Sequence, residues 1–168
     1  NGFTICMDLI IYDYTGYGGY YCRLVEKSTT SPGGEGFGIA YYSDNISLLL
    51  LGKNVILFSS SIIPINTKAQ LIITFTKTAP TTTTVKCYVN GRVVYSQAIA
   101  SSLQFITDKP MMIGNSAFLE SYSHKGEFQE FRLYNRPLTD TEIKNIYNSK
   151  IQTTKHLDFS NNAVGDTL

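Results

Sequence analysis

TVKCYVNGRVVYSQ, residues Thr84 to Gln97, carries the strongest short-range structural signal in the chain. Asn90-Gly91 tolerates positive φ at both central positions of a type I′ turn, and β-prone runs flank it on either side. A two-residue turn sets Val89 opposite Arg92, Tyr88 opposite Val93, Cys87 opposite Val94 and Lys86 opposite Tyr95. Side chains alternate along a strand, and directly opposed residues share a face. Val85, Cys87, Val89 and Val94 are therefore expected on one face, with Tyr88, Val93 and Tyr95 on the other. This pattern is that of a hairpin from the interior of an all-β protein.

Similar patterns continue on both sides of this hairpin. Phe3, Ile5, Met7, Leu9 and Ile11 alternate with more polar neighbours, which predicts a strand with one buried face. YDYTGYGGYY, Tyr12 to Tyr21, follows as a loop of tyrosines around three glycines, and Cys22 to Glu26 reads as a short strand. SPGGEG, Ser31 to Gly36, has too many breakers to be anything but a loop. Strands are expected at Phe37–Tyr42, Ile46–Leu51 and Val55–Phe58, the last two joined by Gly52-Lys53-Asn54, and from Ala69 to Thr76. Thr78 to Thr84 reads as a low-complexity connection, Pro110 to Gly114 and Phe128 to Tyr134 as strands, and Asn115 to Lys125 as a polar loop.

The period then changes. Thr139 with Glu142 makes a capping box, Leu138 with Ile143 a hydrophobic staple, and Ile143, Ile146 and Tyr147 share a helical face. A helix of about two to three turns is expected here, packed on a sheet, with Ile151–Phe159 as a closing strand. About ten short strands and one late helix predict an antiparallel β-sandwich.

The chain has 168 residues, 43% hydrophobic and 16% charged, which suits one sizeable core. Its net charge is +1 and its 14 Lys and Arg are scattered, so no electrostatic footprint for nucleic acid appears. Apolar runs no longer than that of Leu48–Leu51 fall far below the ~20 residues needed to cross a bilayer, so membrane insertion is not expected. Starting at Asn1 with an alternating pattern, the chain reads as a fragment of a longer protein. Cys6, Cys22 and Cys87 are too few and too spread for a disulfide scaffold or zinc motif, and each lies in a predicted strand, where a small buried hydrophobe is expected, one disulfide plus one free thiol being the alternative.

GEFQEFRLYNRPLTDTEI, Gly126 to Ile143, resembles the C-terminal signature of laminin-G-like domains of the concanavalin-A-like lectin/glucanase superfamily. CYVNGRVV (Cys87–Val94), PMMIGN (Pro110–Asn115) and FTICMDLII (Phe3–Ile11) resemble three further pieces of that family, in family order. The resemblance implies a jelly-roll β-sandwich over residues 1–159, with 160–168 a polar tail or the start of a next module. His156 to Asn162 looks like the segment that usually opens such a domain, so it either begins a second module or closes the sheet from its C-terminal side. The Trp frequent in the opening strand of relatives is absent.

Members of such a family bind glycans, proteins or calcium, or hold assemblies together. For catalysis, a β-glucanase needs two facing carboxylates, and strict alternation sends Glu127 and Glu130 to opposite faces unless a bulge intervenes. His124 and His156 have no triad pattern. The expected function is therefore non-catalytic recognition of a glycan or surface protein through rim loops: Tyr14, Tyr17 and Tyr20 in the first loop, Tyr42, Asp44 and Asn45 in a second, and Tyr122 in a third. Calcium is the one ion the resemblance introduces, with Asp44, Asn45 and Asn115 as candidate oxygen ligands. The rivals are a structural domain that forms homo-oligomers in a virion, phage tail or surface assembly, and a glycoside hydrolase. The expected setting is extracellular or a virion surface.

Overall fold

The computed structural model describes residues 2–15, 21–29, 36–50, 53–100, 109–116 and 122–156. They form a jelly-roll β-sandwich of two five-stranded antiparallel sheets. The first sheet runs β10 (Gly126–Tyr134), β1 (Gly2–Ile11), β6 (Lys68–Ala79), β7 (Thr82–Val89), β8 (Arg92–Ile99). The second runs β5 (Lys53–Ser59), β4 (Asn45–Leu50), β3 (Gly36–Tyr42), β2 (Cys22–Ser28), β9 (Met112–Ile113). One helix, α1 (Asp140–His156), follows β10.

Alternation builds the core between the sheets. Phe3, Ile5, Met7, Leu9 and Ile11 of β1 and Leu71, Ile73 and Phe75 of β6 meet Leu24, Ile39, Tyr41 and Leu48 of the second sheet. Phe3 and Phe75 stack with ring centroids 4.4 Å apart, and Phe37 closes the cluster from the other sheet at 5.4 Å from Phe3 and 5.9 Å from Phe75. All three cysteines are free and buried, as strand positions predict.

The first sheet is buried on its outer face as well. Leu138 and Ile143 of the helix segment cover Cys6, Ile72 and Tyr88, so β1 has two buried faces where alternation predicts one, and Thr4, Cys6 and Asp8 lie below 5% exposure. Thr4 clips this segment down: its Oγ1 donates to the Arg136 carbonyl at 2.9 Å and accepts the Leu138 N–H at 2.9 Å. The capping box forms, Glu142 taking the Thr139 N–H at 2.8 Å while Thr139 Oγ1 takes the Glu142 N–H at 3.3 Å. The helix has 17 residues, longer than the two to three turns expected, and Ile151–His156 continues it instead of forming a closing strand. Tyr147, Lys150 and Ile151 extend the Ile143 stripe at helical spacing, and neither Gly nor Pro interrupts it.

The central hairpin holds its turn, with Asn90 at φ 50° and Gly91 at φ 73°. Val89 opposes Arg92 and Tyr88 opposes Val93, but a bulge then sets Cys87 opposite Tyr95 and Lys86 opposite Ser96. Val94 is the extra residue. Tyr95 consequently packs against the inter-sheet core with Val94, not on the Tyr88 face. Two expected connections are strand: Leu50 already pairs with Lys53, and Thr82–Thr84 belongs to β7, since β-branched residues favour the pleat.

The helix start is acid-sensitive. Arg136 grips Glu142 with both guanidinium nitrogens, at 3.0 and 2.6 Å, and with the Thr139 groups holds its carboxyl at about 2. A carboxylate depressed from 4.5 stabilises the fold above that value and loses the contribution as pH falls through about 2. Amide-exchange protection of the first helical turn is expected to fall across that window, and Glu142→Gln to flatten the profile.

Candidate functional site

The outer face of the second sheet gathers what the sequence scatters. Tyr42 pairs with Asn45, Arg23 with Ala40 and Ala40 with Ser47, and Glu26 with Gly38, so these residues form rows across β2, β3 and β4. Arg23 and Glu26 are three apart and would point to opposite faces, but a bulge between Arg23 and Val25 turns both outward. They form an ion pair, Nε to Oε1 at 3.3 Å, with each side chain 1% exposed. The Arg23 guanidinium also lies 4.9 Å from the Tyr122 ring centroid and 6.0 Å from that of Tyr21. Among the described residues, Glu26 Oε2 and Ser47 Oγ are buried without a hydrogen-bond partner. Such orphans are uncommon in folded proteins, and they mark this face as polar ground under a closed surface.

At one end of the face the surface opens. Tyr21, Tyr42 and Asn45 are half-buried and Ser43 and Asp44 exposed. The Tyr21 and Tyr42 rings sit 5.3 Å apart at 54°, a tilted aromatic pair at the open end of the sheet. The β3–β4 turn beneath them is strained, with Ser43 at φ 42° and Asp44 at φ 67°. It is held from both sides: the Ser43 N–H donates to the Tyr14 carbonyl at 3.3 Å, and the Ser60 N–H donates to the Asp44 carbonyl at 2.7 Å. The Ser60 hydroxyl also reaches Asp44 Oδ1 at 3.3 Å.

The structure sorts the predicted residues. Tyr42, Asp44 and Asn45 form the rim, and Tyr122 stands behind it against Arg23. Tyr14 is buried, edge-on to Tyr41 at 5.3 Å with its hydroxyl donating to the Ile63 carbonyl at 2.8 Å, so it supports the rim from inside instead of meeting a ligand. Tyr17 and Tyr20 lie outside the described residues. Tyr88 packs under α1 with its hydroxyl on Asp140 at 2.7 Å. Asn115 Oδ1 takes the Ser116 N–H at 2.7 Å and the Ser123 hydroxyl at 3.1 Å within its own loop. Among the described residues no three acidic, His or Cys side chains form a metal cluster.

The acids on β10 correct another expectation. Phe128 pairs with Leu9 and Glu130 with Asp8, so Gln129 is bulged out and Glu127 and Glu130 share the outer face of the first sheet. Chemistry keeps them apart: Glu127 accepts the Tyr12 hydroxyl, while Lys150 and Arg132 hold Glu130 below the usual carboxylate range. A general acid in glycoside hydrolysis needs the opposite shift. Asp13 is likewise held at about 2, by the Thr15 hydroxyl and then by Lys125.

The fold is that of a concanavalin A-like jelly-roll β-sandwich. The chain belongs to the concanavalin A-like lectin/glucanases superfamily, its laminin-G-type family model matching residues 1–144. No curated protein matches it. Among solved structures it is similar to the heptameric SAP-like pentraxin of Limulus polyphemus, with 17% identity and a TM-score of 0.63 over 87% of this chain and 69% of that one. It is also similar to the receptor-binding domain of botulinum neurotoxin type G, with 19% identity and a TM-score of 0.61 over 90% of this chain and 38% of that one. A third likeness is to domain 4 of AbnA, an extracellular GH43 arabinanase of Geobacillus stearothermophilus solved with arabinotriose, with 16% identity and a TM-score of 0.56 over 88% and 66%. At these identities the likeness is one of fold.

Proposed function

We propose that the chain is a non-catalytic recognition module that takes a glycan, or a surface partner presenting one, on the rim formed by Tyr21, Tyr42, Asp44 and Asn45. The observation that carries this is the tilted Tyr21–Tyr42 pair on a strained turn pinned from both sides. Aromatic faces pack on sugar C–H surfaces at low entropic cost, and the flanking amide and carboxylate accept or donate to hydroxyls. The arabinotriose held by the arabinanase domain and the receptor-binding role of the toxin domain support the reading by likeness of fold. The non-catalytic part rests on four carboxylates among the described residues, Asp13, Glu130, Asp140 and Glu142, each held low by hydroxyl or cationic neighbours, the opposite of what a general acid needs. One shallow rim gives weak binding, and repeated display in a larger extracellular or virion-surface protein would raise it.

A glycan array with purified protein, run with calcium and with chelator, tests this. Binding to defined sugars is expected, and Tyr42→Ala is expected to weaken it by about 2 kcal/mol, roughly thirtyfold, without changing the melting temperature. Loss in chelator would place an ion at Asp44 and Asn45. A folded protein that binds no sugar overturns the reading. It would favour an assembly domain instead, for which the exposed Ile56 and Val93, at 56% and 50% on the edge strands β5 and β8, speak. Concentration-dependent mass in sedimentation would then be the expected result.

A further inference from the structure

The other sheet carries a second polar cleft, between α1 and the outer face of β1 and β6. Its deeper part, about 270 Å³, is lined by Asp8, Lys68, Gln70, Asn90, Tyr147 and Lys150, with Ile151 closing the helix side. It runs into a wider space of about 670 Å³ that shares Asp8, Lys68 and Lys150 and adds Glu130 and Arg132. The walls are fixed. Asn90 exchanges two hydrogen bonds with the Gln70 backbone, its N–H donating to Gln70 O and its Oδ1 accepting the Gln70 N–H, both at 2.9 Å. Tyr147 lies so close on the turn that a Cβ on Gly91 would meet its ring at 3.1 Å. Lys150 bridges Asp8 at 2.6 Å and Glu130 at 2.5 Å, tying the helix to both strands.

Packing alone leaves one group unexplained. Gln70 is 4% exposed, its Nε2 donates to Asp8 Oδ1 at 3.4 Å, and its Oε1 has no partner among the described residues. Turning the amide over would set its oxygen against the Asp8 carboxylate, so the orphan is an acceptor in a cleft. A buried acceptor left unmade costs free energy, and a ligand hydroxyl would satisfy it. Tyr147 and Ile151 offer an apolar wall beside that acceptor. Lys68 makes no ion pair among the described residues and supplies a cation at the mouth.

We propose that this cleft is a second saccharide subsite, built for a single hexuronate residue: ring against Tyr147, hydroxyls on Gln70 Oε1 and Asp8, carboxylate on Lys68. Lys150 lies between Asp8 and Glu130 and pairs with both carboxylates, which suits recognition and not hydrolysis. It lies on the opposite sheet from the tyrosine rim and does not rest on that reading.

Titration of the ¹⁵N-labelled protein with sodium glucuronate, beside glucose and sodium sulfate, tests it. Saturating shifts at Gln70, Asn90, Tyr147 and Lys150 are expected with glucuronate, with affinity at least about tenfold above that for glucose and no matching pattern with sulfate. Lys68→Ala should lower glucuronate affinity to the glucose level. Gln70→Met should abolish binding while leaving the melting temperature equal or higher, because it removes an orphan acceptor from a buried site. Tyr42→Ala should leave all of this unchanged. The proposal is overturned if neither sugar produces saturating shifts in the cleft, if sulfate reproduces the pattern with equal affinity, or if Gln70→Met binds as tightly as the parent.

Discussion

Arg23→Ala is expected to destabilise the fold by about 3–5 kcal/mol, read from urea unfolding. The reason is the environment of the pair and not its strength. Arg23 and Glu26 are each 1% exposed, and Glu26 Oε2 already lacks a partner among the described residues, so removing the guanidinium leaves a buried carboxylate held, among those residues, by the Ser28 hydroxyl on Oε1. The substitution also strips the cation from over Tyr122, which loosens the packing behind the rim. Replacing both charges, Arg23→Met with Glu26→Leu, should recover most of the loss, because two desolvated ions are exchanged for apolar groups of similar volume. A loss below about 1 kcal/mol for the single variant is what an exposed pair would give, and would show that water reaches the site.

Phe75→Ala is expected to cost about 3–5 kcal/mol. Phe75 is 1% exposed and touches Phe3 of its own sheet and Phe37 of the facing one, so the missing ring leaves a void between two sheets that cannot both move in. Phe75→Leu keeps most of the volume and should cost under about 1.5 kcal/mol. Equal losses from the two variants would mean that the site collapses around the smaller residue and that shape is not what holds the sheets together.

The hairpin turn and the capping box with its staple were legible because each is a local signal, the antiparallel sandwich followed from the run of short strands, and the jelly-roll class came with the family resemblance. Asn90-Gly91 needs only its own backbone freedom, and Thr139, Glu142, Leu138 and Ile143 need only one another. The site was legible in part. Tyr42, Asp44 and Asn45 are neighbours in the chain and meet at one turn, but Tyr14, which looks the same in sequence, is buried, because its exposure depends on Tyr41 and Ile63, far along the chain.

Three bulges account for most of the rest. The extra residues Val94 and Gln129 and the irregularity beside Arg23 each reset the alternation, sending Tyr95 inward, Glu127 and Glu130 to a shared face, and Arg23 and Glu26 together. A bulge has no residue signature of its own, since it arises from the fit between two paired strands and the layer that covers them. The sequence by itself therefore determined most of the strands, where the main hairpin turns and how the helix begins, but not where the helix ends. Only the tertiary structure decided which residues each face presents, because that depends on strand pairing across long stretches of chain and on a helix that buries a face alternation would leave to water.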